Sequence, residues 1–168
     1  VSKGYSLDIA SKYLRQAGIS KALLNAGGNI YAIGHPTDRE YYNIAVQDPH
    51  NISKSIGTVK LKDGQVIATS GSYNRYYDIA GVKYSHILSG NTGFPTDLYK
   101  SVTVITDKGI LSDILSTSLF LLSIEDGRKL IDTLDHPVEV LYVTNENKVY
   151  KTEGFKIEYS EENIYLDK

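Results

Sequence analysis

Asp113 and Thr117 lie four residues apart in the run ILSDILSTSLFLL at 110–122, a spacing that stacks two side chains on one side of a helix. A carboxylate and a hydroxyl so placed can both reach one hard cation such as Mg2+, which takes oxygen ligands and shares them with phosphates. The same spacing suits a plainer arrangement, in which Asp113 favours the positive end of a helix and Thr117 bonds back to its own backbone. His86 ends a strand-like run directly before the polar loop SGNTGFPTD at 89–97. Histidine is the side chain most used as a general base, although one at a strand end also serves as a structural or solvated residue. Glycine-bearing segments at Lys3-Gly4, Gly27-Gly28-Asn29 and Thr69-Ser70-Gly71 can offer backbone N–H groups to phosphate oxygens with no long side chain in the way. Paired glycines equally make a tight turn. Together these residues point to a dinucleotide or nucleoside diphosphate with a divalent cation, although neither GxGxxG nor GxxxxGK[ST] occurs.

Composition removes several other chemistries. The chain has 168 residues and no cysteine, so disulfides, thiolate metal sites and a cysteine nucleophile are excluded. No serine sits in a Gly-x-Ser-x-Gly elbow, and no His-x3-His or His/carboxylate cluster suggests zinc. His35, His50 and His136 neighbour or closely follow prolines and read as surface residues. A formal net charge of -2 gives no reason to expect nucleic acid or an anionic membrane as partner. There is no apolar run long enough to span a bilayer and no signal-peptide pattern. The first residue is Val, and Val1-Ser2-Lys3-Gly4 begins as if in mid-sequence, so a fragment of a longer parent is expected.

The elements that must position these residues follow from periodicity and turn chemistry. Leu7, Ile9, Ala10, Tyr13, Leu14 and Ala17 fit a short amphipathic helix stopped by Gly18, with Asp8 on an early turn. Residues 22–25 read as a short buried strand, the glycine pair follows, and 30–33 continue as strand. Residues 42–46 are a strand ended by Asp48-Pro49. Residues 56–61 and 65–69 read as a hairpin about Asp63-Gly64, and 75–79 with 82–87 as a second about Ala80-Gly81. The tyrosines at 73, 76, 77 and 84 suit stacking surfaces or, more commonly, amphipathic core and interface positions. Val102, Val104 and Ile105 mark a buried strand. It delivers the chain through Asp107-Lys108-Gly109 into a helix whose apolar arc is Ile110, Leu111, Ile114, Leu115, Leu119, Leu121 and Leu122. A second short helix at 125–134, a hairpin of 138–143 with 149–152, and a tail at 155–166 ambiguous between strand and loop complete the chain. One α+β unit over 1–168 with a mostly antiparallel sheet and packed helices is expected.

Read in order, SKGYSLD at 2–8, LLNAGGNIYAIG at 23–34, ATSGSYNRYY at 68–77, YSHILSGNTGFP at 84–95 and SVTVIT...LSDILSTSLFLL at 101–122 resemble the C-terminal part of the ApbE family. These are the FAD:protein FMN transferases, once labelled thiamine biosynthesis lipoproteins, with a T-fold-like domain. The resemblance implies Mg2+-dependent transfer of FMN from FAD to a threonine hydroxyl of a target flavoprotein, with AMP leaving. It implies Asp113 and Thr117 as Mg2+ ligands, joined by a backbone carbonyl near Ser2, and His86 as base for the acceptor hydroxyl. It also implies Lys3, Gly4, Asp8, Gly27, Gly28, Asn29, Thr69, Ser70 and Gly71 along the FAD, with Asp8 at its adenine or phosphate side. Where the family usually has Asp-Pro after the His-Ile-hydrophobic run, this chain has Ser89-Gly90. The family's N-terminal half is not among the matching segments. The parent is expected outside the cytoplasm, held at the membrane by a lipid anchor absent here. Two other readings keep the site and change its use: a Mg2+-dependent FAD pyrophosphatase, with water in place of threonine, or a flavin-binding or structural domain without catalysis.

Overall fold

The computed structural model describes residues 1–73, 75–160 and 166–167. Its elements run α1 (Ser2–Gln16), β1 (Ala22–Ala26), β2 (Asn29–Ile33), β3 (Tyr42–Gln47), β4 (Ser55–Leu61), β5 (Val66–Gly71), β6 (Tyr76–Ile79), β7 (Val82–Ser85), β8 (Ser101–Thr106), α2 (Gly109–Phe120), α3 (Ile124–Ile131), β9 (Val138–Val143), β10 (Lys148–Lys151), β11 (Ile157–Tyr159) and β12 (Leu166–Asp167). Seven strands pair in the order β1-β2-β5-β8-β9-β10-β12, three in the order β11-β4-β3, and β6 pairs with β7 alone. Apart from the parallel β10–β12 pair, the strand pairings among the described residues are antiparallel, so the α+β class with a mostly antiparallel sheet is the observed one.

The large sheet is the middle of three layers. Alternate residues of a strand point to opposite faces, and β8 is buried at all six positions, so it needs cover on both sides. Val102 and Val104 pack with Leu115, Leu119 and Phe120 under the helices. Ile105 faces the other way, toward Val59, Leu61 and Phe155 of the small-sheet side. Fully burying a side chain such as Leu119 or Phe120 contributes about 1.5–3 kcal/mol, which anchors α2 on β5 and β8.

Helix α1 lies against α2 at a distance that only small residues permit. A Cβ on Gly4 would stand 1.9 Å from the Gly109 carbonyl oxygen, and one on Gly109 would stand 2.3 Å from that of Gly4. The close crossing brings the start of α1 beside Asp113.

Several expectations from the sequence are corrected here. Helix α1 begins at Ser2, earlier than the apolar pattern from Leu7 indicates, so Asp8 lies in its second turn. Strand β1 alternates half-buried and exposed residues because it is the outer strand of the large sheet, whereas a buried strand was expected. The turn at Asp63-Gly64 is present, but β4 and β5 do not pair: they belong to different sheets. Both edges of β5 are occupied by β2 and β8, so the turn carries the chain from one layer to the other. The buried face of α2 includes Ser112, Asp113 and Ser116, while Ile114 is exposed, because small and polar residues face the crossing with α1 and the end of β5. The helix ends at Phe120, before Leu121 and Leu122. His136 is half-buried, with Nδ1 2.9 Å from Asp107. The tail supplies β11, paired with β4; the stretch 161–165 lies outside the described residues.

Candidate functional site

A cavity of about 540 Å3 opens between α2, the end of β5 and the β6–β7 hairpin, with Asp113, Thr117, Ser70, Gly27, Lys3 and His86 in its lining. Thr69, Gly71, Arg75, Ile87, Leu88 and Leu121 complete it. Residues distant in sequence thus share one space, and two walls can be distinguished.

The first wall is centred on Asp113, which is 9% exposed. Its Oδ2 accepts from the Gly4 amide at 3.0 Å and lies 2.9 Å from the Val1 nitrogen, and its Oδ1 accepts from Asn29 Nδ2 at 3.0 Å. Burial pushes this carboxyl up, but hydrogen bonds from the Gly4 amide, the Val1 nitrogen and Asn29 outweigh it and hold it below the usual carboxylate range. Thr117 Oγ1 is 3.1 Å from Ser70 Oγ and donates to the Asp113 carbonyl at 3.4 Å. The backbone bond of the plainer reading is therefore present, and the hydroxyl lines the cavity as well. Ser70 Oγ also donates to Ser116 Oγ at 3.0 Å, tying the end of β5 to α2.

A two-residue turn closes the β1–β2 hairpin beside this wall. Gly27 at φ 58° and Gly28 at φ 95° adopt the left-handed backbone that such hairpins require, and Asn25 Oδ1 accepts from the Gly28 amide at 2.9 Å. Lys3 Nζ reaches across to Asn29 Oδ1 at 3.1 Å and the Gly27 carbonyl at 3.4 Å. Gly27 serves as turn and cavity lining at once, whereas Gly28 belongs to the turn and lies outside the lining.

The second wall is the end of the β6–β7 hairpin. Arg75 and His86 flank the Tyr76–Ser85 pair, and the Arg75 carbonyl lies 3.2 Å from the His86 amide and 3.0 Å from His86 Nδ1. A carbonyl oxygen only accepts, so Nδ1 carries the hydrogen and the neutral ring keeps its lone pair on Nε2. That is the tautomer a base needs.

Not every expected residue meets the cavity. Asp8 sits elsewhere: Oδ1 accepts from the Gly109 amide at 2.6 Å and Oδ2 from the Ile110 amide at 2.8 Å. It caps α2 from another helix, which the sequence hides because the local cap position is Lys108, with no capping side chain. The Gly4 amide is spent on Asp113 rather than left for a ligand. Thr69 does line the cavity, and its hydroxyl is 2.9 Å from that of Thr103. Ser2 opens α1 outside the lining. Arg75 and Ser116 were not anticipated. The two-residue turn at Ala80-Gly81 contained the signal for Arg75, since it sets hairpin partners at equal distances and puts Arg75 across from His86.

Among the described residues no group of three or more His, Cys, Asp or Glu could hold a metal ion. A cation here would rest on one carboxylate with hydroxyl and substrate oxygens, the ligand pattern Mg2+ commonly takes with phosphates. The donor set fits that role. A carboxylate offers about four acceptor positions, and three of those on Asp113 are taken by protein nitrogens.

The fold and the cavity define a class: an α+β domain that sets an acid–hydroxyl shelf and Lys3 opposite an oriented imidazole with Arg75 beside it, a layout suited to a phosphate-bearing ligand. Comparison with known proteins narrows it. Residues 1–142 match the ApbE family, and the chain belongs to that family. A Rhodobacter capsulatus protein named FAD:protein FMN transferase is 35% identical over 151 residues, covering 90% of this chain and 28% of its own length. One of the same name from Klebsiella pneumoniae is 32% identical over 162 residues, covering 95% of this chain and 49% of its own length. The crystal structure of the ApbE protein from Thermotoga maritima superposes with a TM-score of 0.75 at 33% identity, over 96% of this chain and 50% of that one. The chain therefore spans half or less of the length of these relatives.

Proposed function

We propose that this chain carries the phosphate-handling and base-bearing part of an FAD:protein FMN transferase, in which FMN passes from FAD to a threonine hydroxyl of a target flavoprotein and AMP leaves. The observation that supports it best is the meeting of Asp113, Thr117, Lys3, Gly27 and the Thr69–Gly71 strand end with His86 around one cavity. Relatives named for this activity align with 90% and 95% of the chain at 35% and 32% identity.

In this reading the threonine oxygen attacks the phosphorus on the FMN side of the FAD pyrophosphate. The bond from that phosphorus to the bridging oxygen breaks, and AMP takes the electron pair. His86 accepts the hydroxyl proton at Nε2, the position that the Nδ1 bond to the Arg75 carbonyl leaves open. Thr117 and the free acceptor position on Asp113 would hold Mg2+, which supplies charge neutralisation at the pyrophosphate. Lys3 and Arg75 add positive charge on both sides of the cavity. An extracytoplasmic, membrane-associated parent belongs to the same proposal and is tested by fractionating cells that express the whole gene product. Among the described residues no helix is long and apolar enough to cross a membrane.

Mass spectrometry of a threonine-bearing acceptor, after incubation with FAD and Mg2+, tests the reading. The protein is supplied both as the 168-residue chain and as the same residues within a full-length ApbE scaffold. In the active form, Asp113→Ala removes FMN incorporation, and His86→Ala lowers the rate about 10²–10⁴-fold, the usual range for a lost general base, with FAD binding retained. AMP release that needs no acceptor would replace transfer by pyrophosphatase chemistry. No FAD binding in either form would leave the non-catalytic reading.

A further inference from the structure

Asn29 was expected along the flavin nucleotide, yet it is 1% exposed and absent from the cavity lining, while two side chains it touches, Lys3 and Asp113, both line it. We infer that Asn29 is the positioning residue of the site: it fixes the Asp113 carboxylate and the Lys3 ammonium relative to each other and acts on the ligand only through them. The inference rests on the metal role proposed above for Asp113.

The geometry leaves Asn29 one orientation. Its Nδ2 donates to Asp113 Oδ1 at 3.0 Å, and its Oδ1 accepts from Lys3 Nζ at 3.1 Å. Lysine only donates and a carboxylate only accepts, so turning the amide over would set both contacts wrong. The backbone of Asn29 is fixed as firmly, because it is the first residue of β2 and pairs with Ala26 across the glycine turn. Asp113 is thereby pinned at Oδ1 by β2 and at Oδ2 by the Gly4 amide of α1, so neither oxygen can swing away from a ligand in the cavity. Neutrality matters as much as reach. A cation at position 29 would compete with Mg2+ for Asp113, and an anion would repel that carboxylate, whereas an amide joins an anion to a cation without adding charge.

Partners of this kind behind a metal ligand typically change metal affinity 10–100-fold, so about that loss is expected here. Mn2+ titration followed by electron paramagnetic resonance, on the chain with FAD present, reads it directly. Asn29→Ala should weaken Mn2+ binding by about 10–100-fold. Phe155→Leu, in the core on the other side of the large sheet, should lower the Tm and leave Mn2+ affinity unchanged. Equal affinity in Asn29→Ala and wild type overturns the inference, as does an equal loss in Phe155→Leu. Asn29→Asp keeps the size and the Lys3 contact but turns an oxygen toward Asp113. Weaker binding supports positioning, and tighter binding would make position 29 a ligand position and overturn it. A metal-free measurement separates this inference from the reading beneath it. In a double-mutant cycle the Tm losses of Asn29→Ala and Asp113→Ala should fall short of additivity, because each removes the same contact. Additive losses overturn the positioning role, whereas wild-type protein that takes up no Mn2+ while the cycle stays non-additive sinks only the metal reading.

Discussion

On one side of the cavity Asp113 is 9% exposed and held by donors from α1 and β2; on the other, His86 is exposed at the end of an outlying hairpin and its ring is held by one carbonyl. The Asp113 wall is part of the fold itself. Its hydrogen bonds join α1, α2 and β2, and the same groups pack the crossing of the helices. Among the described residues the β6–β7 hairpin pairs only with itself, and its strand β6 is exposed throughout. Chemistry built into the core cannot be altered without loosening the molecule, while chemistry on a peripheral hairpin can change at little cost to folding. The two walls should therefore respond differently to substitution.

The largest effect is expected where the helices cross. Gly4→Ala places a methyl group 1.9 Å from a backbone oxygen, so α1 must shift, and a stability loss of about 3 kcal/mol, the upper end of overpacking effects, should appear in urea unfolding. A loss within about 0.5 kcal/mol would break the comparison, since the crossing would then not be rigid. Asp8→Ala comes next. It removes two charge-assisted caps from α2 and should cost about 1–2 kcal/mol by the same measurement, with the loss showing as weaker amide protection in the first turn of α2.

Acid should then act on the body of the fold rather than on the hairpin. Asp113 and Asp63 both titrate below the ordinary 3.8 in the folded chain. For Asp63, burial raises it, but Arg15 and the Gly34 amide outweigh that. Depressed folded values mean the unfolded chain binds protons more readily, so this stabilisation is present above about pH 4 and is lost as pH falls through the folded values. Thermal unfolding followed from pH 6 down to pH 3 should show a falling Tm, with Asp113→Asn flattening part of the slope. The smallest effect belongs to the hairpin. Tyr77, 74% exposed, should tolerate Tyr77→Ser within about ±0.5 kcal/mol. A larger loss in calorimetry would mean that the hairpin is more firmly tied to the body than its exposure indicates.

Much of this was legible from local pattern. Strand β8 followed by helix α2, the glycine turn of β1–β2, the Ala80-Gly81 hairpin and the polar loop at 89–97 all carry short-range signals. His86, Asp113 and Thr117 were singled out by residue type and spacing, and they do share a cavity. Illegible were the groups whose partners lie far away in the chain. Asp8 reads as a residue near the start of its own helix, yet it serves the start of another. Asn29 reads as part of a glycine-rich ligand loop and is instead a buried strut. Segments 56–61 and 65–69 satisfy every local rule for a hairpin, and competition from β2 and β8 for the edges of β5 sends them to separate sheets.

The sequence by itself determined where strands, helices and turns fall and which residue types are available for chemistry, because apolar periodicity and glycine conformation act over a few residues. Only the tertiary structure decided which oxygens of Asp8 and Asp113 are already satisfied, which tautomer His86 holds, and that Asn29 stands between Lys3 and Asp113. Those outcomes depend on hydrogen bonds between groups brought together by packing, across separations such as the 84 residues from Asn29 to Asp113 or the 101 from Asp8 to Gly109.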